Sequence, residues 1–159
     1  VGLEAANHLE YLDLRANRIV SVALLAGLHD LTVLGLSDNQ IRNVTALAGL
    51  TQLVELGIGG NLVWDIRPLR NLVRLRMLSL YDNQITDIDA LRSLLVLEIL
   101  WLNNNFVKDV ESLVGLDRLV WLQLRLNGLT NSNCADLTRL EQQIDSNNGR
   151  LFYDHFICP

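Results

Sequence analysis

The stretch LEILWLNNNF, residues 97–106, contains one copy of a pattern that decides the fold. Leu97, Leu100, Leu102 and Asn105 follow the order L-x-x-L-x-L-x-x-N, and the same order returns every 22 residues. The asparagines of the successive copies are Asn17, Asn39, Asn61, Asn83, Asn105 and Asn127. A spacing this regular predicts a repeat architecture in which every copy adds the same structural unit.

Elementary geometry explains why each copy has this pattern. Alternate residues of a strand face opposite sides, so the leucines of L-x-L point into a core and the x positions point outward. One 22-residue unit cannot bury its own apolar face, but stacked units form a continuous core. The asparagine turns the chain off the strand, and its amide can satisfy backbone groups left unpaired by the turn. In the second half of a unit, Ile88, Leu91 and Leu94 are spaced by three residues, which favours a short 3-10 turn.

Three segments show the whole unit: NQIRNVTALAGL (39–50), NLVWDIRPLRNL (61–72) and NQITDIDALRSL (83–94). They resemble the 22-residue leucine-rich repeats of bacterial internalins and of the regulatory subunit of protein phosphatase 1. The resemblance implies an α/β solenoid, a curved right-handed superhelix with a parallel β-sheet on its concave side and 3-10 turns on its convex side. It also implies that the protein binds another macromolecule.

The repeats predict two regions. Residues 1–130 contain a partial first repeat and then about six 22-residue units. Because the chain opens in the middle of a repeat without a polar cap, we expect either a fragment of a longer array or an open end that meets a partner or a second copy. Residues 131–159 predict a C-terminal cap, in which Leu137, Leu140 and Ile144 share one helical face and Gly149 ends the helix.

The two cysteines of the chain, Cys134 and Cys158, both lie in the predicted cap. Cysteine arithmetic favours a disulfide, with two free thiols as the alternative. A disulfide would place the protein in an oxidising compartment, and similar cysteine-bracketed caps occur in exported leucine-rich-repeat proteins. We therefore predict an exported protein, extracellular, on the cell surface or periplasmic, with a cytoplasmic location as the alternative.

Charge and hydropathy exclude several partners. The formal net charge of −5 argues against binding to nucleic acid or to an anionic membrane. The most apolar stretch, residues 91–102, is interrupted by Arg92, Ser93 and Glu98, so we expect no membrane insertion.

No motif favours catalysis or a cofactor. Asp65, Asp87 and Asp109 recur with the repeat and are explained as turn residues that accept local backbone N–H groups. His8, His29 and His155 are far apart and lack metal-ligand spacing. The glycines of GIGGN (57–61) fall on outward strand positions and lack the context of a phosphate loop, so they predict a bare strip of concave backbone. We therefore predict no enzyme, no metal and no cofactor.

The outward strand positions supply the candidate site. Tyr81, Trp101 and Trp121 step back by two residues with each strand, which predicts a diagonal aromatic stripe with about 8 Å between neighbours. The full set of predicted partner-binding residues adds the flanking Met77 and Ile99, the polar rim of Asn103, Gln123 and Arg125, and a weaker patch of Tyr11, Asp13 and Arg15. Trp64 falls outside this face, on a turn toward the convex side.

Two interpretations of the stripe remain. Cross-strand aromatic pairs stabilise sheets, but contiguous apolar patches mark interaction sites and Trp and Tyr dominate binding hot spots. We therefore predict a protein-protein interaction module of an exported or surface bacterial protein. The alternatives are a carbohydrate-binding face, because aromatic rings stack on sugar rings, and an intracellular regulator of an enzyme.

Overall fold

A computed structural model describes residues 8–154 and Cys158. The opening of the partial first repeat, with its predicted uncapped end, and His155 lie outside the described residues. Seven three-residue strands run in chain order: β1 Tyr11–Asp13, β2 Val33–Gly35, β3 Glu55–Gly57, β4 Met77–Ser79, β5 Ile99–Trp101, β6 Trp121–Gln123 and β7 Arg150–Phe152. All neighbouring pairs are parallel, and the seven strands form one sheet in the order of the sequence.

Short 3-10 helices follow the strands, as the three-residue spacing predicts. They are Ala23–Leu25, Thr45–Gly49, Arg67–Asn71, Asp89–Ser93, Glu111–Leu113 and Asn131–Asn133. The last of these runs directly into the α-helix α1, Cys134–Ser146. No helix within the described residues is long and apolar enough to cross a membrane.

The leucines of the repeat form one continuous core between the sheet and the 3-10 helices. Leu78 and Leu80 of one unit and Leu100 and Leu102 of the next are fully buried. The repeat predicts this, because inward positions of successive strands stack directly on one another. The sheet therefore has one face committed to the core and one concave face that carries the x positions of L-x-L.

The asparagines form the predicted ladder. The Asn83 amide nitrogen donates to the carbonyls of Ile58 and Leu80 at 3.0 and 3.1 Å and to that of Tyr81 at 3.1 Å. Its side-chain oxygen accepts the N–H of Val63 at 2.9 Å. One buried amide thus satisfies four backbone groups from two consecutive units, which joins each turn to the turn before it.

A left-handed residue immediately precedes every ladder asparagine. These residues are Ala16 (φ 54°), Asp38 (59°), Gly60 (63°), Asp82 (50°), Asn104 (55°) and Leu126 (57°). The backbone reverses there, and the N–H of Asp38, for example, donates to the Gly59 carbonyl of the next unit at 2.8 Å. Gly60 therefore lies in the turn and not on an outward strand position, and it adopts this conformation without the strain of a side chain.

The C-terminal cap replaces a further repeat. Leu137, Leu140 and Ile144 are fully buried against the last unit, as predicted. After α1 the chain turns through Asn148 (φ 57°), and Gly149 passes so close to Val120 that a Cβ at Gly149 would lie 2.6 Å from the Val120 Cα. Strand β7 then joins the sheet, and a disulfide links Cys134 to Cys158.

Candidate partner-binding site on the concave face

Strand register fixes the positions of the aromatic residues on the concave face. Trp101 lies opposite Ser79 on one side and Gln123 on the other, while Trp121 lies opposite Ile99. The two tryptophans are therefore offset by two residues, which is the offset that the repeat alignment predicts.

A groove of about 480 Å³ crosses the concave face of β1–β5. We call it the concave groove. One wall is formed by Tyr11, Asp13 and Arg15, and the other by Met77, Tyr81 and Trp101. Small or short residues lie between the walls: Val33, Gly35, Ser37, Gly57 and Ser79, with Glu55 and Asp38 at the edges. The sequence assigned the two walls to separate patches, and the structure brings them together around one depression.

Glycines let the two walls lean over the floor. A Cβ at Gly35 would lie 3.0 Å from an Asp13 carboxylate oxygen and 3.2 Å from the Arg15 Cγ, so the Asp13–Arg15 pair covers Gly35. A Cβ at Gly59 would overlap the ring of Tyr81, which covers Gly59 from the other side. The predicted bare strip of backbone is thus largely covered. Bulky side chains occupy the space above Gly35 and Gly59, and above Gly57 the short side chain of Ser37 places its hydroxyl 3.1 Å from where a Cβ would lie.

Asp13 and Arg15 form a bidentate ion pair on the first wall. The Arg15 Nη2 and Nε donate to the two Asp13 carboxylate oxygens at 2.6 and 2.9 Å, and the Arg15 backbone N–H donates to Oδ1 at 3.0 Å. These hydrogen bonds lower the pKa of Asp13 from 3.8 to about 2. The pKa of Arg15 is raised mainly by Asp13 and to a smaller extent by Tyr11 and Tyr81.

Replacing Arg15 with alanine should raise the pKa of Asp13 from about 2 toward its ordinary value of 3.8. A carboxyl-detected NMR titration of wild type and R15A would measure the change, and an unchanged value in R15A would contradict the ion pair. Because the folded-state pKa lies below the unfolded one, the pair stabilises the fold above about pH 4, and this stabilisation is lost as the pH falls through about 2. Both groups are solvent-exposed, so the effect on stability is small.

The charges of the groove are not balanced. Arg15 is neutralised by Asp13. Arg76 is not among the lining residues but precedes Met77 in the chain, and its guanidinium is neutralised by Glu98 through contacts of 2.7 and 2.9 Å. Glu55 and Asp38 have no hydrogen bond or ion pair through their carboxylates to any of the described residues. Two carboxylates on the groove therefore lack a counter-charge, while the nearby guanidinium groups are already engaged.

The C-terminal end of the predicted stripe has a different environment. The ring of Trp121 packs on Phe152 of β7 with 5.0 Å between centroids, and the Arg125 guanidinium lies 5.7 Å above the ring of Phe152. The Trp121 Nε1 is buried and has no hydrogen-bond partner among the described residues. Trp121 thus makes a cross-strand aromatic contact, one of the two interpretations that the sequence left open for the stripe.

Phe152 was not predicted as part of the concave face. It lies outside the repeats, and its only sequence signal was the short extended segment predicted after Gly149. Of the polar rim, Asn103 and Gln123 are half-buried and Arg125 is exposed. Trp64 is 58% exposed and lies outside the residues that line the groove, as the sequence predicts.

Comparison with known proteins agrees with the repeat geometry. A family model described as "Leucine rich repeat" matches residues 7–63, and one described as "Leucine Rich repeats (2 copies)" matches residues 73–115. The chain is a leucine-rich repeat protein. Proteins of this family are typically protein-protein interaction modules and are generally not enzymes. The parallel sheet, 3-10 turns and C-terminal helix are those of a leucine-rich-repeat solenoid, and the family matches together with the solved structures below place it with repeats of the internalin type.

Solved structures support that assignment. An internalin of Listeria monocytogenes, inlF, is 34% identical with a TM-score of 0.77, and the match covers 87% of this leucine-rich repeat protein and 38% of the inlF chain. Internalin C2 of the same organism is 28% identical with a TM-score of 0.81, covering 96% of this chain and 74% of its own. A leucine-rich repeat protein of Leptospira interrogans shares the fold at 24% identity and a TM-score of 0.72, over 93% of this chain and 43% of its own. No curated protein sequence matches the chain.

Proposed function

We propose that this leucine-rich repeat protein binds another protein in the concave groove. The observation that carries the proposal is the groove itself, in which Trp101, Tyr81 and Met77 face Tyr11 and Arg15 across a floor without bulky side chains. A contiguous apolar patch with a polar border is typical of an interaction site.

The mechanism is burial of aromatic rings on the partner. Trp101 and Tyr81 are half-buried in the free protein, so each keeps an exposed part that a partner can cover. Tyr81 rests on Gly59 and is held in place before binding, which lowers the entropic cost of ordering its ring. Ile99, Asn103 and Gln123 continue the surface beyond Trp101, and Trp121 with Arg125 borders it at the C-terminal end.

We also propose that the protein is exported and is not an enzyme. The disulfide between Cys134 and Cys158 supports export, because structural disulfides persist in oxidising compartments. The likeness to internalins is consistent with a surface or secreted location. Absence of catalysis is consistent with the periodic positions of Asp65, Asp87 and Asp109, where Asp87 and Asp109 each accept a local backbone N–H.

Trp101→Ala should weaken binding more than fivefold, which corresponds to more than 1 kcal/mol for a hot-spot residue. Ligands for the measurement are selected from a displayed library of random 12-residue peptides on the immobilised native protein, and affinities are measured by calorimetry. Trp64→Ala is the matched control, because it removes an exposed tryptophan outside the groove. Both variants should melt close to wild type, since neither ring lies in the leucine core.

A result in which W101A loses its fold while W64A does not, or in which both bind like wild type, would contradict the proposal. The carbohydrate alternative is tested with the same two variants. Saccharides that quench tryptophan fluorescence in wild type and W64A but not in W101A, together with no peptide ligands, would assign the groove to glycans.

A further inference from the structure

We infer that the concave groove selects a partner segment that places a basic side chain beside an apolar one. The inference rests on the proposed function and specifies the chemistry of the partner. It follows from the distribution of charge along the groove, which the aromatic walls alone do not determine.

Two carboxylates of the groove keep an uncompensated charge after the internal ion pairs are formed. Arg15 and Arg76 each make a bidentate pair with a carboxylate of this chain. The carboxylates of Glu55 and Asp38 make no such contact with the described residues. A bound partner therefore meets two negative charges that are still open to a counter-ion and guanidinium groups that are not.

These two carboxylates lie at opposite ends of the groove floor. Glu55 begins β3 in register with Val33 and Met77, so its carboxylate lies beside the apolar part of the groove. Asp38 lies in the turn that follows β2, so it is at the carboxyl end of the strands, whereas Glu55 is at the amino end of β3. Gly57 and Ser37 lie between them, and an extended segment crossing this open floor would pass from one carboxylate to the other.

The aromatic side chains of the groove walls also favour a cation over an anion. The faces of Tyr and Trp rings attract a guanidinium or ammonium group and do not attract a carboxylate. A lysine or arginine that reaches Glu55 can lay its apolar stem along Met77, and a neighbouring apolar side chain can contact Trp101. An acidic segment would instead face two unpaired carboxylates in a chain of net charge −5.

The experiment uses the peptide ligands selected on the native protein. Among ligands that lose affinity in Trp101→Ala, we expect lysine or arginine next to an apolar residue to be enriched over the unselected library. Glu55→Gln should weaken these ligands threefold to tenfold and reduce the salt dependence of their affinity. Glu111→Gln, an exposed convex glutamate, is the matched control and should leave their affinity unchanged.

Two further variants sharpen the test. Asp38→Asn preserves the left-handed turn, because asparagine tolerates this conformation, and it should weaken binding further when combined with E55Q. Glu55→Lys should shift a new selection toward acidic ligands.

The outcomes separate the two levels of the proposal. Ligands that depend on Trp101 but show no basic enrichment, or that bind E55Q as tightly as wild type, would overturn the inference and leave the proposed function standing. Failure to recover any ligand that depends on Trp101 would overturn the proposed function and the inference with it.

Discussion

Replacing Asn83 with alanine is expected to lower the free energy of unfolding by about 3 kcal/mol, because the buried Val63 N–H loses its partner. The carbonyls of Ile58, Leu80 and Tyr81 each lose one of their two donors. Asn83 is 7% exposed and bonds the N–H of Val63 and the carbonyls of Ile58, Leu80 and Tyr81. Water cannot replace these bonds in a closed turn between two stacked units. Urea unfolding followed by circular dichroism at 222 nm measures the loss.

Asn17 provides the matched control within the same ladder. It is exposed, and its amide donates to the carbonyls of Leu14 and Arg15 at 3.0 Å. Asn17→Ala should cost about 1 kcal/mol, because water can reach the groups that it leaves. Equal losses in N83A and N17A would show that the ladder does not act through buried hydrogen bonds.

Removing the disulfide should have the second large effect. In the chain-entropy account, a link between residues 24 apart in sequence contributes about 3.5 kcal/mol. The double variant Cys134→Ser/Cys158→Ser should therefore unfold at a lower urea concentration than wild type, with loosening of the cap that Leu137, Leu140 and Ile144 pack onto the last repeat.

Dithiothreitol provides the control for this prediction. Reduced wild type should unfold like the double serine variant, and the serine variant should not respond to the reagent. When the purified wild-type protein is denatured without a reductant and then alkylated, no free thiol should be found. Two reactive thiols and an unfolding midpoint insensitive to reductant would contradict the disulfide and remove the main support for export.

The repeat made much of this molecule predictable from sequence. Parallel pairing of identical units keeps the 22-residue period, so Leu78 must pair with Leu100 and Trp101 must lie opposite Gln123. The same period predicts the ladder, because Asn83 and Asn105 occupy equivalent turns. The cap helix followed from the spacing of its apolar residues.

Other features depended on contacts that the period does not contain. Arg15 and Tyr81 lean over the glycines of neighbouring strands, so two patches that are 66 residues apart in sequence form one groove. Phe152 belongs to the cap and has no repeat position, so the alignment could not place it against Trp121. The repeat therefore predicts strand register. It does not predict which side chains lean across to a neighbouring strand, or which residues the cap adds to the concave face.

Hydroxyl-radical footprinting of the protein with a selected ligand tests the concave groove most directly, because oxidation of Trp, Tyr and Met side chains reports their exposure one residue at a time. We expect the ligand to protect Trp101, Tyr81 and Met77 severalfold and to leave the oxidation of Trp64 and Phe106 unchanged. Protection of Trp64 or Phe106, with Trp101 and Tyr81 oxidised as in the free protein, would contradict recognition by the concave face.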